Sequence, residues 1–162
     1  SHGSAFWDET VEEVAAEYPE VTVDHAHVDA ANLRVVAAPE SFDVVVAPNL
    51  FSDILTDATA GVVGGLGVAP SANVNPDADV PGMYEPVHGT APDIAGEGVA
   101  NPFATVLSAE MLLEDTGHAG AAGDLRGAVR AQVRDPAAPR TPDLGGSAGT
   151  AGVTDDLVAR LG

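Results

Sequence analysis

Short apolar runs that lead straight into amphipathic helices limit the folds open to this 162-residue chain. Residues 42–47 read Phe-Asp-Val-Val-Val-Ala, which has the length and β-branched content typical of a buried strand. A helical pattern follows at once, from about Leu50 to Val63. A strand followed directly by a helix predicts an α/β fold assembled from short parallel units.

The rest of the chain predicts further helices and one more strand. Alternation over residues 21–29 predicts a strand. Asn101-Pro102 supplies a helix cap and a first helical residue, and Gly117 a stop. Residues 71–98 are rich in Gly, Pro, Asn and Asp, and we expect them to be loop. The predicted helices lie at 5–18, 30–38, 50–63, 101–116, 122–134 and 153–161.

The glycine-rich stretch Gly64-Gly-Leu-Gly-Val-Ala-Pro70 is not a dinucleotide fingerprint. Gly65 and Gly67 are followed by Pro70 where a third glycine is required, and the stretch leaves a helix instead of a strand. The chain contains no lysine, which excludes a phosphate-binding P-loop. We therefore predict a non-Rossmann α/β fold.

The charge balance is extreme, with 25 acidic residues against six arginines and a formal net charge of -19. Such a surface repels nucleic acids and anionic membranes. A hydrophobic content of 45%, arranged periodically, favours a folded chain over an acidic disordered one. The composition resembles that of cytoplasmic proteins from salt-loving archaea, in which dissolved salt screens self-repulsion. We expect a halophilic, cytoplasmic protein.

Two carboxylates, Asp53 and Asp57, lie one helical turn apart and therefore share a face. Mg²⁺ or Mn²⁺ suits such a pair, and Asp29 could supply a third oxygen. The alternative is an ordinary solvated acidic helix face. His25 and His27 offer a rival metal set, although nothing nearby completes a zinc site.

The loop His88-Gly-Thr-Ala-Pro-Asp93 offers backbone amides, a flat ring and a carboxylate. The ring of His88 could stack on adenine, and Asp93 could accept hydrogen bonds from ribose hydroxyls while repelling a 2′-phosphate. These features predict NAD in preference to NADP. The alternative is a surface loop with an Asx turn at Asp93.

Several segments, in this order and spacing, resemble the β-decarboxylating dehydrogenases that act on 3-isopropylmalate, isocitrate, homoisocitrate and tartrate or malate. The likeness covers nearly the whole chain and is greatest to the 3-isopropylmalate enzymes. It rests on Asn49–Asp57, Gly64–Asn73, Tyr84–Gly96, Gly98–Pro102 and Arg140–Gly146.

The resemblance implies an isocitrate/isopropylmalate dehydrogenase fold and a homodimer with a composite active site. Residues 1–63 would belong to the central, dimer-forming domain and 64–162 to the nucleotide domain. Asp53 and Asp57 would bind Mg²⁺ or Mn²⁺, with Asp29 reaching the partner's site, so Asp29 and Asp53 count as catalytic. The residues implied to hold NAD are Glu85, His88, Gly89, Thr90, Ala91, Asp93 and Asn101.

The same resemblance assigns the chain to the C-terminal half of the family's length. The substrate-binding arginines and the catalytic tyrosine and lysine would then lie upstream, so we expect the isolated chain to be inactive and to fold weakly. The expected substrate is a 2-hydroxy dicarboxylic acid, foremost 3-isopropylmalate in leucine biosynthesis. A non-catalytic acidic metal- or nucleotide-binding module is the rival interpretation.

Overall fold

The computed structural model describes residues 2–77 and 80–162. Helices dominate, and the described strands form one two-stranded sheet. The helices are α1 (His2–Ala15), α2 (Val28–Ala37), α3 (Asn49–Val63), α4 (Phe103–Asp115), α5 (Ala119–Arg134) and α6 (Thr150–Leu161). The strands are β1 (Pro70–Asn73) and β2 (Met83–Pro86). Single 3₁₀ turns lie at Pro39–Ser41, Leu66–Val68, Pro92–Ile94 and Pro142–Leu144.

The hydrophobic core lies among the last three helices. Phe103 of α4, Val129 of α5 and Val153 and Leu157 of α6 are all buried and pack together. They pack together because helical spacing places the apolar residues of each helix on one side. This core fixes α4, α5 and α6 relative to one another.

Helix α4 begins and ends where the sequence predicts. The Oδ1 atom of Asn101 accepts a hydrogen bond from the amide of Phe103 at 3.0 Å, which caps the first turn. Gly117 has a φ of 83°, and the amides of Gly117 and His118 donate to the carbonyls of Glu114 and Leu113. These paired bonds form a Schellman stop, in which glycine takes the left-handed position without strain.

The predicted loop over residues 71–98 is wrong in part, because it contains β2 and all but the first residue of β1. β1 and β2 pair antiparallel, with Ser71 opposite Glu85 and Ala72 opposite Tyr84. Four-residue strands next to Asn, Pro and Gly leave too short a pattern to recognise. The predicted parallel units are absent among residues 2–77 and 80–162, where the sheet is antiparallel.

The predicted strands over 21–29 and 42–47 are also wrong. Residues 21–27 have no regular structure, and Asp29 lies in the first turn of α2. Val44 is 82% exposed and Val46 is 71% exposed, in a segment with no ladder to another strand in the described part of the chain. A strand exists only through pairing, and these residues find no partner among the residues that the structure describes.

Residues 2–63 bury little of their apolar surface. α2 packs on α3, and this contact buries Ala31 and Leu55 around a small cavity that Phe42 also lines. Phe6 of α1 and Leu33 of α2 remain largely exposed. In the described residues, no helix is both long enough and apolar enough to cross a membrane.

The spacing of Arg126, Arg130 and Arg134 at i, i+4 and i+8 predicts an exposed helix face that pairs with acidic residues. Arg126 does so, since its Nε donates to Glu110 at 2.8 Å and a terminal nitrogen to Glu114 at 2.8 Å. These bonds raise the pKa of the Arg126 guanidinium, the one to Glu110 most. Arg130 and Arg134 form no ion pair with any other described residue, so the expectation holds for the first arginine alone.

Arg160 ties α6 to the end of α5. It contacts Asp156 on its own helix at 2.7 Å and Asp135 at 2.8 Å. The bond from Arg160, reinforced by the amide of Ala137, holds the pKa of Asp135 below its ordinary 3.8. A carboxyl with a lowered pKa stabilises the fold above its ordinary value, and this contribution disappears as pH falls through the lowered pKa.

We therefore expect Arg160→Met to lower the thermal unfolding midpoint at pH 7, and the deficit to shrink as the pH falls below the ordinary carboxyl pKa of 3.8. Arg130→Met is the matched control, because Arg130 is exposed and this substitution removes the same positive charge. Circular dichroism melts from pH 7 downward measure both. A deficit that stays constant through this range, or an equal one in the control, would contradict the assignment.

Candidate functional site

The glycine-rich turn after α3 redirects the chain into the hairpin. Gly64 and Gly65 have φ values of 125° and 110°, which residues with a side chain rarely adopt. The hairpin then returns, and the amide of Val87 donates to the carbonyl of Ala69 at 3.1 Å. The loop that starts at His88 therefore begins beside the end of the glycine turn.

The predicted cofactor loop is accessible. Gly89, Thr90, Ala91 and Asp93 are exposed, and His88 is half-buried with its Nδ1 atom 3.0 Å from the carbonyl oxygen of Gly89. Asp93 lies in the first turn of the 3₁₀ segment Pro92–Ile94 and caps no backbone amide there. The carboxylate is thus available to a ligand, and the Asx-turn alternative finds no support.

Ala91 is held in the left-handed region, with φ 42° and ψ 62°. Its carbonyl accepts a hydrogen bond from the amide of Ile94 at 3.1 Å, which helps fix this turn. A non-glycine residue in this region stores about 1 kcal/mol or more of strain and persists only where its surroundings impose it. Such strain is found most often at ligand-binding loops.

A polar pair that the sequence did not predict lies at the start of α4. The Nδ2 atom of Asn101 donates to Oδ2 of Asp143 at 2.9 Å across 42 residues of sequence. Gly67 lies against this pair, because a Cβ atom there would be 2.5 Å from Asp143 Oδ2 and 2.9 Å from Asn101 Cβ. Three separate segments therefore meet at Asn101.

Asn101 itself is largely committed to the protein. Its residue is 8% exposed, its Oδ1 caps α4 and its Nδ2 holds Asp143. The exposed group of the pair is Asp143, which belongs to the Arg140–Gly146 segment that contributed to the family resemblance. That segment was the signal from which Asp143 could have been named as a site residue.

Glu85 is exposed on β2, opposite Ser71. Its neighbour Tyr84 donates its hydroxyl to Asp115 at the end of α4, and this hydrogen bond raises the pKa of the Tyr84 phenol. The strand that carries Glu85 is thereby tied to α4 by a side-chain contact as well as by packing.

The predicted metal ligands do not meet within one copy of the chain. Asp53 and Asp57 are both exposed on α3, and Asp53 accepts a 3.2 Å hydrogen bond from Nδ2 of Asn49. Asp29 is exposed, and its Oδ1 accepts from the amide of Ala30 at 2.8 Å. Among residues 2–77 and 80–162, no three His, Asp or Glu side chains are grouped to hold a metal ion, which also removes support from the rival set at His25 and His27. A site shared between two copies remains a prediction.

Comparison with known proteins decides the family. Residues 2–158 match the family described as isocitrate/isopropylmalate dehydrogenase. The chain belongs to that family of oxidoreductases. A 3-isopropylmalate dehydrogenase of Thermobifida fusca (strain YX) is 47% identical over 161 residues, which cover 99% of this chain and 44% of that protein.

Other relatives carry different substrate names. A probable tartrate dehydrogenase/decarboxylase of Bacillus subtilis (strain 168) is 42% identical over 160 residues, 99% of this chain and 45% of that protein. The crystal structure of isocitrate dehydrogenase from Methylococcus capsulatus aligns with a TM-score of 0.87 at 42% identity, covering 98% of this chain and 46% of that one. The predicted family and fold class are confirmed, and the chain spans less than half the length of these relatives.

The close approach at Gly67 leads to a prediction. Gly67→Ala should lower the free energy of unfolding by about 1–3 kcal/mol, because the added methyl group forces Asn101 and Asp143 apart. Gly61→Ala is the matched control: this α3 glycine has open space around it, so alanine there should raise stability by about 0.5–1 kcal/mol. Urea unfolding of both variants measures the difference, and a Gly67→Ala variant as stable as the unmodified chain would contradict the geometry.

Proposed function

We propose that this chain is part of an NAD-dependent enzyme that oxidatively decarboxylates 3-isopropylmalate in leucine biosynthesis, with Mg²⁺ or Mn²⁺. The exposed loop at residues 89–93, which follows the hairpin strand bonded to the end of the glycine turn through Val87 and Ala69, is the structural observation that carries it. The substrate assignment is supported by relatives named 3-isopropylmalate dehydrogenase at 47% and 52% identity. Because those relatives are more than twice as long, the activity belongs to the longer protein.

The residues present fit a dinucleotide. The ring of His88 offers a stacking surface, the exposed amides around Thr90 offer donors, and Asp93 offers an acceptor for ribose hydroxyls. Glu85 and Asn101 flank this loop in sequence, and Gly89 and Ala91 lie within it. NAD, when bound, supplies the acceptor for the hydride that the substrate loses. The charge of Asp93 favours NAD over a cofactor with a 2′-phosphate.

The donor chemistry at α3 fits a hard divalent cation. Asp53 and Asp57 share an exposed face and form no ion pair with an arginine in the described part of the chain. Carboxylate oxygens are the ligands that Mg²⁺ prefers, and two such charges one turn apart are mutually destabilising without a cation. The cation, when bound, stabilises negative charge that develops on substrate oxygen. Asp29 from a partner copy would complete the set in a homodimer.

The alternative substrates within the family are isocitrate, homoisocitrate and tartrate or malate. Among these, relatives of this chain are named for isocitrate and for tartrate. Turnover of these acids by the enzyme extended to its relatives' full length decides among them. If the enzyme turned over isocitrate or tartrate in preference to 3-isopropylmalate, the preferred acid would replace 3-isopropylmalate as the assigned substrate. If the full-length enzyme bound NAD but oxidised none of these acids, the result would favour a non-catalytic nucleotide-binding module.

The cofactor assignment predicts a charge-specific loss of binding. Asp93→Lys should weaken NAD binding by roughly 10-fold or more, because it removes a charged acceptor from the ribose, and it should narrow the preference for NAD over NADP. Glu97→Lys is the matched control, since Glu97 is exposed, follows the same loop and makes the same charge change. Calorimetry measures both, and equal affinities in the unmodified chain and Asp93→Lys would end the assignment.

The metal assignment predicts that Asp53→Asn weakens Mn²⁺ binding by roughly 10-fold, because a neutral amide replaces a charged ligand. Asp124→Asn, on the exposed surface of α5, is the control and should leave Mn²⁺ affinity unchanged. Electron paramagnetic resonance of free Mn²⁺ reports both affinities. A solvated acidic helix face would instead give equal small losses in the two variants.

We also propose a salt-adapted, cytoplasmic protein. The net charge is -19, and the ion pairs among the described residues involve three arginines, Arg34, Arg126 and Arg160. Screening should therefore raise the thermal unfolding midpoint as KCl increases from about 0.1 M to about 1 M, where the Debye length falls from about 10 Å to about 3 Å. A midpoint that sorbitol raises and KCl does not would argue against salt adaptation.

A further inference from the structure

Helix α6 is joined at its first residue to the segment that precedes α4. The amide of Thr150 donates to the carbonyl of Gly98 at 2.7 Å, and the Thr150 hydroxyl donates to the carbonyl of Ala100. Amides in the first turn of a helix have no partner within the helix. Thr150 therefore donates two hydrogen bonds, one from its backbone amide and one from its hydroxyl, to the same short segment, residues 98–100.

The approach of the two segments is close enough to require glycine. A Cβ atom on Gly149 would lie 2.9 Å from the carbonyl oxygen of Gly98, which is tighter than ordinary carbon–oxygen contact. Gly98 itself has a φ of 67°, in the left-handed region. Both glycines allow the start of α6 to rest directly on the backbone before Asn101.

The Thr150 contacts close a ring of interactions around Asn101. Residues 98–101 are joined to residues 143–150 twice, by Thr150 at one end and by the Asn101–Asp143 hydrogen bond at the other. The intervening turn is held by the amides of Gly146 and Ala148, which donate to the carbonyls of Thr141 and Arg140 at 3.0 and 2.9 Å. Loss of the Thr150 hydroxyl leaves the Ala100 carbonyl without this bond, so that the Thr150 amide alone joins the start of α6 to Gly98.

We propose that Thr150 is a positioning residue for the adenosine end of the dinucleotide site. The proposal rests on the proposed function and on the family resemblance, which implies that Asn101 lies near the adenine of NAD. Thr150 does not itself need to touch the ligand. It acts by fixing the backbone of residues 98–100, and through that backbone the placement of the Asn101–Asp143 pair.

The test uses the enzyme extended to its relatives' full length and three ligands: AMP, nicotinamide mononucleotide and NAD. Thr150→Val keeps the size of the side chain and removes the hydroxyl. It should therefore weaken the binding of AMP and of NAD by roughly 2- to 10-fold, the range expected for one hydrogen bond. Binding of nicotinamide mononucleotide should not change. Thr150→Ser restores the donor and should recover the affinity for AMP.

Two further variants guard against a loss of folding. Thr154→Val is the matched control, because it removes a hydroxyl from the same helix that bonds the Thr150 carbonyl at 2.8 Å and leaves both Thr150 donors to residues 98–100 in place. It should leave AMP binding unchanged. Gly149→Ala retains the Thr150 hydroxyl but pushes α6 away from Gly98, and it should weaken AMP as Thr150→Val does.

The outcomes separate this proposal from the proposed function. If the unmodified chain binds AMP and NAD, and Thr150→Val binds AMP equally well, the positioning role is overturned and the cofactor assignment stands. Equal loss of AMP and nicotinamide mononucleotide in Thr150→Val would also overturn it, since that pattern reports general destabilisation. If the unmodified enzyme, extended to its relatives' full length, binds none of the three ligands, the proposed function fails and the positioning role fails with it.

Discussion

The hydrogen bonds of the Asn101 side chain are the constraint on which the organisation of residues 64–162 depends. Its Oδ1 accepts a hydrogen bond from the amide of Phe103 and so caps α4. Its Nδ2 donates a hydrogen bond to Asp143 in the turn before α6. Phe103, placed by that cap, is 2% exposed and joins the core with α5 and α6. One buried amide group thus connects the packing of the helices with the candidate nucleotide site.

Helix α4 carries this order to the other elements. Its far end is stopped by Gly117 and bonded to Tyr84 of the hairpin through Asp115. Along its length, the buried carboxylate of Glu110 accepts from Arg126 and so anchors α5. The hairpin, the two following helices and the loop at His88 are therefore all placed relative to one helix. Residues 2–63 have no comparable centre, and their apolar side chains at Leu33, Val44 and Val46 stay exposed.

The sequence patterns correctly predicted those features of the fold that depend on interactions between residues close together in the chain. The spacing over residues 49–63 and 103–115 gave the right helices, and Asn101 and Gly117 marked the ends of α4 correctly because capping acts within a few residues. Alternation over residues 21–29 and β-branched content over residues 42–47 predicted strands, but pairing depends on a partner that is absent among residues 2–77 and 80–162. The same non-locality hid Asp143, since nothing near Asn101 in sequence announces a carboxylate 42 residues away. The predicted ligands Asp29, Asp53 and Asp57 are a further step removed, because their meeting would require a second copy.

The double use of Asn101 has a consequence for how this family can diversify. A replacement that altered ligand preference there would also uncap α4 and release Asp143, so the gain would arrive together with a folding defect. Variation in preference is easier to acquire at exposed neighbours such as Asp93, whose side chain caps nothing. The architecture in this way separates positions that natural selection can adjust singly from one that it can change only in concert with others.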